Sequence, residues 1–254
     1  MKFTFTSLLV SAAAMSLVLT APYANAQGTL TKSDVEAIVK KVIQDNPELI
    51  LNSVKEYQMK QQAAMLSKAS QNIVAMQGDL KNNPNSPSAG NPNGDVTVVE
   101  FFDYHCHYCK QFYPALAKLM DEDKNVRIVF KEFPILSEDS ALAAKAALAV
   151  YSIDKSKYFA FHTELMKSSG AFTMDMLEAK AKEVGIDPDA FKKAMANPDL
   201  NKEIDHNKEL AQSIGISGTP GIIVGTELIP GAVEYDALKA KVAAARQAAK
   251  EKRS

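Results

Sequence analysis

Two cysteines set three residues apart constrain this chain more than any other feature. Cys106 and Cys109 are the only cysteines in 254 residues. They directly follow the apolar run Val96–Phe102, a pattern typical of a buried strand. A disulfide that closes so small a loop adds little chain-entropy stabilisation. The pair is therefore predicted to carry redox chemistry and not to form a structural disulfide.

Residues 1–26 have the pattern of a secretory signal peptide. Lys2 supplies a positive start, an apolar stretch follows it, and Ala24-Asn25-Ala26 places small residues at the cleavage site. The apolar stretch is shorter than the ~20 residues of a membrane helix, which argues against an anchor. We expect a mature protein in the periplasm, and peripheral membrane association is left open.

Two helices are predicted ahead of the strand. Ser33 and Glu36 form a capping-box pattern, and a second helix is expected to follow from Pro47. Helical spacing gives the first helix an apolar stripe of Val35, Ile38, Val39, Val42 and Ile43. Since two striped helices bury little alone, they need a partner, either the main domain or a second copy of themselves. Residues 27–80 are interpreted as an oligomerisation segment, with a homodimer favoured and a trimer left open. Residues 81–94, rich in Asn, Pro, Ser and Gly, are predicted to be a linker.

The remaining residues, 95–254, predict an α/β domain. Its order is β-α-β, then a block of about 138–214 with only helical patterns, then β-β-α. The first two strands should be parallel, because the helix that starts at the cysteines crosses over between them. The strand candidates are 96–102, 126–130, 221–224 and 227–229.

The start of a helix is a suitable place for a reactive cysteine pair. Cys106 should lie near free N–H groups and the positive end of the helix dipole, which favour the attacking thiolate. A protonated His107 would lower the thiol pKa further, and Cys109, one turn on, is assigned as the resolving thiol. Tyr108 completes the motif. Thr219-Pro220, directly before a strand, is predicted to be a cis peptide that faces the pair.

Metal binding is the alternative for these residues. Cys106 and Cys109, with His105 or His107, could form half of a zinc site, but the other histidines lie in predicted helices without partner cysteines. A haem site needs histidine where the chain has Lys110. No cofactor is therefore expected. The balance of 29 basic and 30 acidic residues gives no reason to expect a nucleic-acid partner.

The run from Glu100 to Cys109, Glu-Phe-Phe-Asp-Tyr-His-Cys-His-Tyr-Cys, with Thr219-Pro220 far downstream, resembles the DsbA family of periplasmic thioredoxin-fold proteins. The resemblance covers about residues 84–254. It implies a thioredoxin-like fold with a helical insert. Residues 27–80 resemble the N-terminal extension of a longer branch with ScsC-type and dimeric DsbA-like proteins.

The resemblance also implies site residues and an activity. Glu100 maps to a buried acid that moderates proton transfer at Cys109, and Lys131 on the next strand is its expected partner. The expected enzyme introduces or isomerises disulfide bonds in unfolded or wrongly bonded secreted proteins. The best-known DsbA oxidases carry Pro-His between the cysteines, where this chain has His-Tyr. Tyr108 before the second cysteine and Thr219 before the proline are more similar to DsbC-type isomerases.

Two alternatives stand beside this expectation. One is an oxidase only, recharged by a DsbB-type membrane partner; a DsbD-like partner would instead serve a reducing or isomerising protein. The other is a non-catalytic chaperone or surface binding protein, because apolar helix stripes suit client binding as well as dimerisation.

Overall fold

The computed structural model describes residues 29–251, which form ten α-helices and five β-strands. The predicted signal peptide, residues 1–26, lies outside this range. The helices are α1 (Lys32–Asp45), α2 (Pro47–Ala75), α3 (Gln77–Asn82), α4 (His107–Glu122), α5 (Glu138–Ile153), α6 (Tyr158–Lys167), α7 (Met174–Glu183), α8 (Pro188–Met195), α9 (Asp199–Ser213) and α10 (Tyr235–Glu251). The strands are β1 (Ser88–Gly90), β2 (Val96–Phe102), β3 (Val126–Glu132), β4 (Gly221–Val224) and β5 (Glu227–Pro230).

The chain divides into two units between Lys55 and Glu56, inside α2. In the described part of the first unit, α1 buries no residue, and every member of its predicted apolar stripe is exposed. The helix is capped by Thr31, whose hydroxyl accepts from Asp34 N while Asp34 accepts from Thr31 N. The capping box thus starts two residues earlier than the predicted Ser33.

The second unit is built on a five-stranded sheet with the order β1-β3-β2-β4-β5. Strands β2 and β3 are parallel and joined by α4, as predicted, while every other pairing in the sheet is antiparallel. Central strand β2 is almost completely buried, which explains its continuous apolar sequence. Each large apolar side chain buried in this way stabilises the fold by about 1.5–3 kcal/mol.

Alternate residues of the sheet enter two separate cores. Phe102 and Phe130 face a core shared with α4 and the helices α5 to α8. Phe101 and Val129 point to the opposite face and pack with Ile73 of α2, among other side chains of α3 and α9. The C-terminal part of α2 therefore belongs to the core of the second unit.

The predicted linker at residues 81–94 is wrong. Residues 88–90 form β1, which pairs with β3, and Phe130 N donates to Pro87 O at 2.9 Å. The small and turn-forming residues of this segment serve the two turns that flank a three-residue strand. The predicted α/β order and the helical insert, α5 to α9, are confirmed.

Candidate active site around Cys106 and Cys109

Three loops meet at one edge of the sheet. Because β2 and β3 are parallel and β4 runs against them, the ends of β2 and β3 lie beside the start of β4. The loop after β2 carries Cys106. It is flanked by the loop after β3, residues 133–137, on one side and by Thr219-Pro220 on the other.

Cys106 caps the N-terminus of α4. Its Sγ accepts a hydrogen bond from Cys109 N at 3.2 Å, in place of the oxygen of an ordinary capping residue. The same sulfur lies 3.2 Å from Thr219 O. Cys106 is 5% exposed and Cys109 is fully buried, and both are free thiols in this structure. An attacking partner therefore meets Cys106 first.

The two thiols differ sharply in acidity. The Cys109 thiol, which hydrogen-bonds to Cys106 Sγ, lowers the pKa of Cys106 to about 6, with further help from the Thr219 side chain and from backbone N–H groups of α4. Burial opposes this shift. Burial and the hydrogen bond to Cys106 raise the pKa of Cys109 far above its ordinary value. This division of acidity is the one that the predicted roles of Cys106 as attacking thiolate and Cys109 as resolving thiol require.

The other predicted motif residues lie around this pair. The Thr219–Pro220 peptide bond is cis, as predicted. Tyr108 is 62% exposed, and its ring contacts that of the exposed His107, with ring centroids 5.7 Å apart. The predicted effect of His107 on the Cys106 thiol stays a prediction.

Glu100 is buried at 1% exposure on the face of the sheet that carries α4. Burial, with the nearby charge of Cys106, raises the pKa of its carboxyl to about 8. Its Oε1 atom has no hydrogen-bond partner within the described residues. A buried carboxyl with this raised pKa holds its proton at neutral pH. The predicted role of Glu100 in proton transfer at Cys109 is compatible with this state and stays a prediction.

The predicted pairing of Glu100 with Lys131 is wrong. Glu100 is opposite Phe130 in the ladder, whereas Lys131 is opposite Phe101, so the two side chains project from opposite faces. The fully buried Lys131 Nζ instead donates to Asp79 O and to Ser86 Oγ, both at 2.7 Å. Lys131 therefore holds the segment between α3 and β1 against the sheet.

Sequence reasoning missed two carboxylates that hold the active-site loop. Asp103 is 1% exposed and receives four hydrogen-bond donors. Asp139 of α5 contacts His105 Nε2 at 2.6 Å and also accepts from Phe172 N at 3.0 Å. The position of Asp103 directly after a buried strand was the only local signal, because the donors lie 30 or more residues away or in its own turn.

A buried polar cluster behind the loop was also missed. Glu132 Oε1 accepts from the hydroxyls of Tyr104 and Tyr158 at 3.1 and 2.9 Å, and Tyr104 OH contacts His162 Nδ1 at 3.1 Å. Burial raises the pKa of Glu132 and lowers that of His162 to about 3. His162 is therefore neutral near pH 7 and fills a core position. Within residues 29–251, no group of three or more His, Cys, Asp or Glu side chains is arranged to hold a metal.

Comparisons with known proteins agree with this geometry. The profile of the DSBA-like thioredoxin domain matches residues 97–243. A probable disulfide bond formation protein D of Bacillus cereus is 29% identical over 163 residues, covering 60% of this chain and 74% of the relative.

Solved structures extend the likeness. A thioredoxin-like oxidoreductase from Silicibacter pomeroyi is 44% identical, with a TM-score of 0.63, over 67% of this chain and 97% of the other. Proteus mirabilis ScsC in a compact conformation is 30% identical, with a TM-score of 0.65, over 86% of this chain and 99% of the other. These matches confirm the predicted resemblance and the thioredoxin-like fold.

Proposed function

Since this chain belongs to the family of DSBA-like thioredoxin domains and is a thiol–disulfide oxidoreductase of that family, we propose that it introduces and isomerises disulfide bonds in secreted proteins. The observation that carries the proposal is the position of Cys106 Sγ, 3.2 Å from both Cys109 N and Thr219 O. One contact stabilises the thiolate, and the other places the sulfur beside the backbone of the residue before the cis proline, where we expect a client chain to pair.

Oxidation of a client follows from this arrangement in two exchanges. A client thiolate attacks Cys106 Sγ of the Cys106–Cys109 disulfide, a client–Cys106 bond forms, and Cys109 leaves as a thiolate that takes a proton from Glu100. A second client thiolate attacks the client sulfur of the mixed disulfide. The client disulfide forms, and Cys106 leaves as its stabilised thiolate.

Isomerisation uses the reduced site. Cys106 thiolate attacks a wrong client disulfide, which forms a client–Cys106 disulfide and releases a client thiolate. Client thiolates then exchange with other disulfides of the same chain until one of them attacks the client sulfur of the mixed disulfide and Cys106 leaves as a thiolate. Tyr108 before the second cysteine and Thr219 before the proline, which are similar to those of DsbC-type isomerases, support this part of the proposal. A DsbD-like membrane partner would keep such a protein reduced.

An oxidase-only role is the second candidate, and the low pKa of Cys106 favours it. A thiolate that is stabilised in the reduced protein makes the disulfide form a stronger oxidant. A DsbB-type membrane partner would then recharge the site. Trapping thiols in whole cells separates the two: largely oxidised cysteines indicate the oxidase, and a mixed or reduced pool indicates the isomerase.

We further propose a homo-oligomer formed by the N-terminal helices, with a dimer favoured. The stripe of α1 is unpartnered in the described chain: Val39 is 51% exposed and Ile38 is 49% exposed. Two sites in one dimer would hold a misfolded client between them. Because Ile73 and Leu80 belong to the core of the second unit, the test deletes only residues 27–55 and measures mass in solution. An unchanged oligomeric state would exclude this interface.

Export to the periplasm is proposed from the pattern of residues 1–26, which precede the described range. Among the described helices, none has an apolar stretch long enough to cross a membrane.

The activity itself is tested with insulin, as a disulfide-bonded client, and with a client whose disulfides are scrambled. We expect the wild-type protein to reduce insulin and to restore a scrambled substrate, and the Cys106→Ser variant to do neither. Equal activity of wild type and Cys106→Ser would refute the assignment of the nucleophile. Binding of unfolded clients without any exchange would instead support the non-catalytic chaperone.

A further inference from the structure

Asp103 stands between β2 and the cysteine pair, and four hydrogen-bond donors converge on its carboxylate. Oδ1 accepts from His105 N and from Ser140 Oγ, both at 2.7 Å. Oδ2 accepts from Ile135 N at 2.9 Å and from Leu136 N at 3.0 Å. Three of these donors are backbone N–H groups that cannot act as acceptors. Only a side chain with two accepting oxygens satisfies all of them.

The backbone of the same residue contacts Cys106 directly and influences the acidity of Cys109. Asp103 O accepts from Cys106 N at 3.0 Å, which closes the turn that delivers Cys106 to the start of α4. The backbone N–H of Asp103 also acts to lower the pKa of Cys109, against the larger opposing effect of burial. A shift of Asp103 would therefore move Cys106 relative to the N–H groups that stabilise its thiolate.

The carboxylate also holds the neighbouring loop. Ile135 and Leu136 are 42% and 54% exposed although their backbone is fixed by Asp103. Their loop follows β3, so it borders Cys106 on the side opposite Thr219-Pro220. Two exposed apolar side chains on a fixed backbone beside a nucleophile form a surface for an unfolded chain.

We propose that Asp103 is a positioning residue for thiol–disulfide exchange, which aims Cys106 at the N-terminus of α4 and fixes the Ile135–Leu136 loop as one wall of the client site. The proposal rests on the function proposed above. Asp103 acts through the backbone of these two loops and contacts no client itself.

Charge and position predict opposite effects of removing this carboxylate. If Asp103 acted only as a nearby negative charge, its neutralisation would favour the Cys106 thiolate and lower the thiol pKa. If Asp103 positions the turn, its neutralisation weakens the contact between Cys106 Sγ and the helix N-terminus and raises the thiol pKa. The sign of the shift therefore separates the two roles.

The first experiment titrates Cys106 in the reduced Asp103→Asn variant by its ultraviolet thiolate absorbance. An amide offers one accepting oxygen where the carboxylate has two, so at least one backbone N–H of this cluster loses its partner. We expect the titration midpoint of Cys106 to rise by about one unit, the size of one lost hydrogen bond to an anion. An unchanged or lowered midpoint overturns the proposal. Asp187→Asn, which neutralises an exposed N-cap of α8, is the matched control with no shift.

A second variant and a kinetic readout keep the test decisive. Ser140→Ala removes one donor from Asp103 and leaves its charge, so it should raise the Cys106 midpoint by a smaller amount. If Asp103→Asn does not fold, an unchanged Cys106 midpoint in Ser140→Ala overturns the proposal. With a peptide disulfide client, Asp103→Asn should raise KM several-fold beyond its effect on kcat, because the Ile135–Leu136 wall is loosened. A change in kcat alone overturns the proposal that Asp103 fixes this wall. The titration needs no client, so it remains valid if the wild-type protein shows no exchange and the proposed function fails.

Discussion

The acidity of Cys106 gives the sharpest test of the site. In the reduced protein its pKa is lowered from 9.0 to about 6 by the Cys109 thiol, the Thr219 side chain and the backbone at the start of α4. We therefore expect the ultraviolet absorbance of a thiolate to appear with a midpoint near 6 as the pH is raised.

The same shift sets a pH-dependent stability of the reduced form. Because the folded pKa lies below the unfolded one, the stabilisation is complete above about pH 9 and is lost as the pH falls through 6. At pH 7, a folded pKa of 6 and an unfolded pKa of 9 correspond to about 1.4 kcal/mol. Partial access of solvent to the thiolate reduces this to about 1 kcal/mol. For a two-electron couple, that free energy makes the site more oxidising by about 20–30 mV.

Two measurements check these values. Thiolate absorbance is followed against pH with Cys106→Ser as the control, since the raised pKa of Cys109 leaves no second thiolate in this range. Urea unfolding of the reduced and oxidised proteins at about pH 5 and pH 7 should show the reduced form gaining about 1 kcal/mol relative to the oxidised form between the two conditions, because groups such as Glu100 titrate in both forms and largely cancel in the difference. A midpoint above 8, or a titration that survives in Cys106→Ser, would refute the argument that the Cys109 thiol and the start of α4 stabilise a thiolate on Cys106.

Three further predictions concern neighbouring residues. Glu100→Gln should slow proton transfer yet stabilise the protein at pH 7 by about 2–3 kcal/mol. The reason is that the raised pKa of the buried carboxyl makes the wild-type protein lose stability as the pH rises from about 4 to 8. Urea unfolding at both ends of this range checks the prediction, and equal stability of variant and wild type at pH 8 counts against it. Lys131→Met should leave the Cys106 titration unchanged but release the segment that Lys131 holds through Asp79 O and Ser86 Oγ, which would appear as faster limited proteolysis at residues 83–94. A shifted Cys106 midpoint would contradict the placement of Lys131 on the face of the sheet opposite α4. Cys109→Ser should accumulate mixed disulfides with clients on non-reducing gels, and their absence would argue against its resolving role.

The parts of the fold that the sequence predicts are those set by local pattern. The bounds of β2 match the apolar run Val96–Phe102, and the position of Cys106 at the start of α4 follows from that strand ending. Strand β1 has three residues in a turn-rich segment, and its pairing with β3 depends on a non-local contact. No local pattern marks such a strand.

The site residues divide in the same way. The expected pairing of Lys131 with Glu100 rests on their positions in adjacent strands. The register places the two residues one position out of step, and side chains alternate between faces of the sheet. The role of Asp103 depends on Ile135, Leu136 and Ser140, more than 30 positions away. Only tertiary structure brings these donors to it.

The helical insert begins and ends at the reactive edge of the sheet. Strand β3 finishes there and β4 starts there, so helices α5 to α9 leave and re-enter the fold on either side of Cys106. Lengthening, shortening or re-angling these helices changes what surrounds the sulfur without altering any strand pairing. Evolution can therefore diversify client range in this architecture by remodelling the insert, while the sheet conserves the chemistry.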